Sequence, residues 1–244
     1  MSGHSKWSSI KHQKGVADQR RSNLFTKIAN MVSVAARSGG DPTMNFQLRL
    51  SIDKAKTANM PKDKIDRAIK RGTGELGGAQ IEEILYEIYG LSGTAILVEA
   101  ATDNKNRASA EIKSALNKYG GKLAGSGAVA YLFERKGEIR IENRESGIEN
   151  GKNTEEATEE VIINSEAEDY REIENGFLVY TKPEKLGFVT KNLNKTGLAC
   201  KGSTLVYKPK ATVDLSEEES QKVLKLLGAL DELDDVSLVS SNLG

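Results

Sequence analysis

The apolar pattern of this chain changes period once. Up to the glycine-rich segment Gly72-Thr73-Gly74-Glu75-Leu76-Gly77-Gly78, apolar residues recur at helical spacing. Beyond residue 80 they come in short runs and alternations that suit strands. Leu24, Ile28, Met31, Val32 and Ala35 line one face of a helix over 18–38, with Asp18 as cap and Gly39-Gly40 as stop. Asp41-Pro42 predicts the next helix, with Asp as N-cap, Pro at the first helical position, and Leu48, Ile52 and Ala55 facing inward. Asn59-Met60-Pro61 breaks that helix. Pro61 opens a third through Ile65, Ala68 and Ile69, closed by Gly72. Three amphipathic helices with short links predict a small antiparallel bundle.

Residues 84–89 and 94–100 read as strands, 107–119 as a helix ended by Gly120-Gly121, and 128–134 as another strand. Residues 138–142 alternate like a half-exposed strand. An acidic stretch over 145–160 leads into a helix through 161–163, and strands follow near 170–173 and 177–180. A helix over about 183–194 and a strand ending at 205–207 complete β-α-β-β-α-β, the ferredoxin-like unit. Ser216 with Glu219 three residues on is a capping box for a last helix, striped by Val223, Leu224, Leu227 and Leu230. Residues 236–239 close as a strand. The expected fold class is α+β: an N-terminal three-helix bundle plus two ferredoxin-like α/β lobes, the third lobe inserted in the second. The expected boundaries are 1–76 for the basic arm and bundle, 77–134 plus 207–244 for a discontinuous α/β domain, and 135–206 for the inserted one.

Charge supplies the strongest functional signal. The 35 Lys and Arg balance 35 Asp and Glu over the 244 residues, but they are segregated. Residues 1–75 hold 15 Lys and Arg against 6 Asp and Glu, a net +9, so the rest of the chain is −9. A basic end on an acidic protein is a footprint of polyanion binding, with a solvated basic face as the bland alternative. Histidine chemistry has little to work with: His4 and His12 are the whole supply, both in the first twelve residues. The single Cys200 excludes an intrachain disulfide and a multi-cysteine zinc site. No apolar run approaches the roughly 20 residues of a membrane span, and the N-terminus has no apolar secretion signal. A non-enzymatic protein that is not secreted is expected, without metal, cofactor, membrane partner or small-molecule substrate.

Lys6, Lys11, Lys14, Arg20, Arg21 and Lys27 put six cations in the first 27 residues, opposed only by Asp18. Cations neutralise phosphates and release condensed counterions. Trp7, the only tryptophan, sits in this arm and can stack on an unpaired base; His4 and His12 can donate to phosphate. Alternatively, Trp7 and Ile10 dock the arm onto the bundle. A second basic group lies at Lys62, Lys64, Lys70 and Arg71, with Arg67 between. Arg67, Lys70 and Arg71 share a helix face, Asp63 and Asp66 reduce the local field, and the group either extends the basic surface or merely solvates the helix. Gly72, Gly74 and Gly77 spell GxGxxG, but a helix precedes them where the dinucleotide fingerprint needs a strand, so they read as a helix stop and linker. Asp103-Asn104-Lys105-Asn106-Arg107, between a strand and a helix, reads as capping rather than catalysis. The acidic runs Glu217-Glu218-Glu219 and Asp231-Glu232-Leu233-Asp234-Asp235 read as solvated faces.

These residues carry a family resemblance. Gly3-His4-Ser5-Lys6-Trp7, Ile10-Lys11-His12 and Lys14 resemble the N-terminal signature of the YebC/PmpR family. So do Phe25-Thr26-Lys27-Ile28, Gly39-Gly40-Asp41-Pro42, Asn59-Met60-Pro61-Lys62-Asp63, Arg67-Ala68-Ile69-Lys70-Arg71-Gly72, Thr102-Asp103-Asn104 with Asn106-Arg107, and Val129-Ala130-Tyr131-Leu132-Phe133. The resemblance implies a helical N-terminal domain with two α/β domains. It also implies a cytoplasmic protein, either a probable transcriptional regulator that binds DNA, or a factor on the large ribosomal subunit that contacts ribosomal RNA and supports translation through proline-rich stretches. The chain departs from that pattern at Gln13 and Asn23, each lowering charge where a cation is common, at Asn30-Met31, where an Arg-Glu pair is common, and at Ile88, Leu91 and Ser92, where Gly and Pro are usual. A non-enzymatic nucleic-acid-binding regulator of gene expression is therefore expected. A protein-only adaptor using the acidic lobes is the remaining alternative.

Overall fold

The computed structural model describes residues 18–142, 154–173, 176–198 and 200–244. The described residues form two compact units. One comprises those up to Glu134 together with Lys208–Gly244, the other those within Arg135–Tyr207.

The first unit opens with three helices, α1 (Asp18–Ala36), α2 (Phe46–Thr57) and α3 (Lys62–Gly72). Ile28, Val32, Ala36, Leu48, Ile65 and Ala68 meet in one buried cluster, as their helical spacing requires. The second helix starts four residues later than Asp41-Pro42 suggests. Asp41 instead accepts from the Thr43 N–H and hydroxyl at 2.8 Å each, which closes a turn. Asn45 is the N-cap, accepting from the Leu48 N–H at 3.0 Å. Its amide also donates to the Ala35 and Gly39 carbonyls, so one side chain ends α1 and starts α2. The helices α1 and α3 approach closely at Gly72, where a Cβ would lie 2.2 Å from the Ser33 carbonyl oxygen. Beside it, the Ser33 hydroxyl donates to the Ala68 carbonyl at 2.8 Å. A helix thus precedes the glycine-rich segment, which leads on to a strand.

The same unit continues through β1 (Glu82–Tyr89), β2 (Ala95–Thr102), α4 (Lys105–Tyr119) and β3 (Lys122–Leu123). It resumes with α7 (Glu217–Asp231) and β8 (Val236–Ser241). Its four strands run in the order β3-β1-β2-β8, antiparallel at each pairing. Ile88, Ile96, Val98 and Val239 pack with Ile112 and Leu116 of α4 and Val223 and Leu227 of α7. Every residue of β2 is buried, and α1 packs against β2 and β8. The capping box of Ser216 and Glu219 forms at the start of α7.

The strand expected over 128–134 begins only at its end, where Phe133 and Glu134 open a strand that runs on to Glu142. Ala130–Leu132 is a short 3-10 turn, and the third strand of this sheet is the two-residue β3. Glu87 on β1 is the cause: its carboxylate accepts from the backbone N–H groups of Gly127, Val129 and Ala130 at 2.5–2.8 Å and curls the segment around itself. Burial opposes the charge of Glu87, but these backbone bonds outweigh it and hold the carboxyl below its ordinary value.

The second unit contains most of β4 (Phe133–Glu142), then α5 (Thr154–Asn164), β5 (Asp169–Ile173), β6 (Gly176–Thr181), α6 (Leu186–Lys195) and most of β7 (Cys200–Pro209). The strand order β5-β6-β4-β7 is that of a ferredoxin-like sheet, with its first and third strands at the centre. The two units together are α+β, with two four-stranded sheets. No helix among the described residues is long and apolar enough to cross a membrane, and none of their His, Cys, Asp and Glu side chains cluster to hold a metal.

Candidate nucleic-acid interface

Candidate contacts His4, Lys6, Trp7, Lys11, His12 and Lys14 lie outside the described residues. Arg20 and Arg21 fall on the first turn of α1, their side chains outside the described part. The remaining four, Lys27, Arg67, Lys70 and Arg71, have defined surroundings.

The buried line of α3 is set by Ile65, Ala68 and the Gly72 contact. At 3.6 residues per turn, Arg67 and Lys70 fall on the opposite side. Both are exposed, and their side chains form no hydrogen bond or ion pair with any described residue. Exposed Asp63 and Asp66 on the same helix weaken their field, while Lys62 and Lys64 add to it. Lys64 sits 5.4 Å over the Phe25 ring, so part of this cation's environment is an aromatic face. Arg49 likewise lies 5.7 Å over the ring of Phe46.

Arg71 and Lys27 are engaged differently. The Arg71 guanidinium meets the Asp103 carboxylate at 2.9 Å. Lys27 donates to the backbone carbonyl of Asp231 at the end of α7. A cation there also complements the negative end of the helix dipole. Asn30, one turn along α1, donates to the Ala101 carbonyl at 3.1 Å. The basic first helix is therefore tied to the end of α7 through Lys27 and to β2 through Asn30.

A network missed by sequence reasoning surrounds Asp103. Asn104 caps α4, accepting from the Asn106 and Arg107 N–H groups at 3.1 Å, as the capping reading of this segment expects. Arg107 reaches back to Asp103 at 3.1 Å and holds the buried Asp235 with contacts of 2.8–3.0 Å from its Nε and Nη2. Thr102 also donates to Asp235, at 2.9 Å. Burial works against the Asp103 charge, but Arg107 and Arg71 prevail and hold its carboxyl below the ordinary value. Bonding to Asp235, opposed by partial burial, raises the pKa of Arg107. No periodic signal joins Arg71 to a carboxylate 32 residues later, so only the fold reveals the pair.

Residues 5–75 match the sequence profile of the TACO1/YebC protein N-terminal domain, and residues 81–243 that of the TACO1/YebC second and third domain. The chain belongs to the TACO1/YebC family. All the candidate contacts except His4 fall within its N-terminal domain match. Among TACO1/YebC relatives, a probable transcriptional regulatory protein of Prochlorococcus marinus strain MIT 9313 is 46% identical over 246 residues, covering 100% of this chain and 99% of its own. One of Treponema denticola is 45% identical over 244 residues, covering 100% of this chain and 96% of its own. The crystal structure of a conserved hypothetical protein from Aquifex aeolicus superposes with a TM-score of 0.88 at 44% identity, over 98% of this chain and 97% of that one.

Proposed function

We propose that this TACO1/YebC protein is a nucleic-acid-binding regulator of gene expression that anchors through its basic arm and helical bundle. Relatives across bacteria are named probable transcriptional regulatory proteins, which supports a regulatory role. One observation carries the choice of surface: a net +9 over residues 1–75, with Arg67 and Lys70 exposed and uncommitted on the outer side of α3. Phosphate contacts of this kind give affinity and orientation, while specificity needs contacts to base edges. We assign the anchoring to His4, Lys6, Trp7, Lys11, His12, Lys14, Arg20, Arg21, Arg67 and Lys70. Lys27 acts mainly as a structural tie to α7, and Arg71 is held by Asp103. The lobes proposed are 1–76, 77–134 with 207–244, and 135–206. The acidic lobes orient the protein on its target and repel it from non-specific sites.

Competition at matched salt tests this reading. Labelled duplex DNA and a labelled hairpin RNA are titrated with the full chain and with a chain lacking residues 1–17. Binding weakened by the deletion is the expected result. Competitor-resistant binding to DNA marks a transcriptional role, and preference for RNA with co-sedimentation on ribosomal subunits marks a translational one. No binding to either would leave the protein-only adaptor.

A further inference from the structure

We infer that Asp103 is an internal competitor for Arg71: its carboxylate occupies the guanidinium that a nucleic-acid phosphate would otherwise take, and so holds the basic surface below its full strength. The inference rests on the nucleic-acid reading above and assigns a regulatory part to one ion pair within it.

Four observations single out this pair. Arg71 follows Lys70 directly and lies one helical turn after Arg67, and both of these exposed cations have side chains without a described partner. Released, Arg71 would join them on one helix face. The Arg71 and Asp103 side chains are 35% and 33% exposed, so water and a phosphodiester can reach them. Pairs this exposed are weakly held, and a carboxylate and a phosphate present similar oxygen acceptors to a guanidinium fork.

The bond can also open without stranding a charge. Asp103 keeps Arg107 at 3.1 Å, and Arg107 keeps Asp235 at 2.8 Å. Nor does the docking of the bundle depend on it. Asn30 to the Ala101 carbonyl, Lys27 to the Asp231 carbonyl, and the packing of α1 on β2 and β8 all lie elsewhere. Arg71–Asp103 is thus a detachable bond in a network whose other bonds are structural. While the pair holds, a phosphate beside Arg67 and Lys70 goes without Arg71; only where the bond opens does the guanidinium exchange one anionic partner for another.

Salt titrations of a labelled hairpin RNA and a labelled duplex DNA test the exchange in a four-protein cycle: wild type, Asp103→Asn, Arg71→Gln and the double variant. Urea midpoints confirm that each is folded, with Asp103→Ser as the substitute if the Asn variant is not. Asp103→Asn is expected to tighten binding by about two- to fivefold at low salt, the strength of an exposed ion pair. It should steepen the slope of log affinity against log salt by about 0.7–0.9, one phosphate contact. In the Arg71→Gln background the same substitution is expected to change neither. Equal tightening in both backgrounds would mean that Asp103 acts only through its general negative field, and would overturn the inference. So would an Asp103→Asn variant with wild-type affinity and slope. In either case a slope that falls when Lys6, Lys11 and Lys14 are neutralised would leave the nucleic-acid reading standing. Salt-independent behaviour of every variant would remove both.

Discussion

Gly72→Ala sets two effects of opposite sign against each other at the joint that positions the basic face of α3. Intrinsic helix propensity favours Ala over Gly by about 1 kcal/mol. Gly72 has no positive φ, so the backbone does not oppose the change. Packing does. The added Cβ would lie 2.2 Å from the Ser33 carbonyl oxygen and 2.7 Å from the Ala36 Cβ. Real Cβ contacts essentially never fall under 3.0 Å, so the first is short by 0.8 Å. The obstacle is helix backbone, which cannot swing aside as a side chain would. α3 has to retreat from α1, loosening the 2.8 Å bond from Ser33 to the Ala68 carbonyl. With a shortfall of 0.8 Å against backbone, the overpacking cost falls in the upper part of its range, about 2–3 kcal/mol, and outweighs the propensity gain, leaving a net loss of about 1–2 kcal/mol. Urea unfolding followed by circular dichroism reads it as a lower midpoint, alongside faster amide exchange in α1 and α3. Gly202→Ala is the control: nothing lies within 4 Å of a Cβ there, and its φ is not positive. It is expected to shift stability by less than about 0.5 kcal/mol, as surface substitutions do. A Gly72→Ala protein as stable as wild type would refute the close approach of α1 and α3.

Other consequences follow from single side chains. Glu87→Gln replaces a charged acceptor of three backbone N–H bonds and is expected to cost about 1–3 kcal/mol, read by the same unfolding assay. Because the Glu87 carboxyl is held below its ordinary 4.5 in the fold, its stabilisation is full above that value and declines as pH falls through the depressed one; the Gln variant should lack this component of acid sensitivity. Ser216→Ala removes half of the capping box on α7 and should cost about 1 kcal/mol. Asn45→Ala removes a cap and the donor to two carbonyls, so a loss of about 2 kcal/mol is expected, at the upper end for caps. Burial pushes the Cys200 thiol up to about 11, so it should react slowly with iodoacetamide near neutral pH and quickly once the chain is unfolded.

Much of the architecture was legible from apolar period. The bundle helices announce themselves because Ile28, Val32, Ile65 and Ala68 recur at helical spacing and are in fact buried. The inserted α/β unit was readable for a similar reason: Ile139 and Ile141 alternate on β4 and pack inward. The errors arise where two residues compete for one role. Asp41 and Asn45 are both good caps, and only the path of the chain decides that Asp41 closes a turn while Asn45 caps α2. Nothing in the strand run 84–89 marks Glu87 as buried; its burial depends on the 127–130 segment folding back upon it. β3 has two residues, too few to leave a period. Charge segregation was visible by counting, but the partner of each cation was not. The pairing of Arg71 with Asp103, and the tie of Lys27 to a carbonyl 204 residues away, are long-range products of the fold.

Counterion release measures the central claim most directly. Affinity for hairpin RNA and duplex DNA is followed across a salt series for wild type and for a variant with Lys6, Lys11, Lys14, Arg67 and Lys70 all replaced by Gln. The expected result is a steep fall of log affinity with log salt in wild type. The slope should flatten by about 0.7–0.9 for each replaced cation that contacts a phosphate. Identical slopes for the two proteins would show that the positive end of this chain does not touch the nucleic-acid backbone.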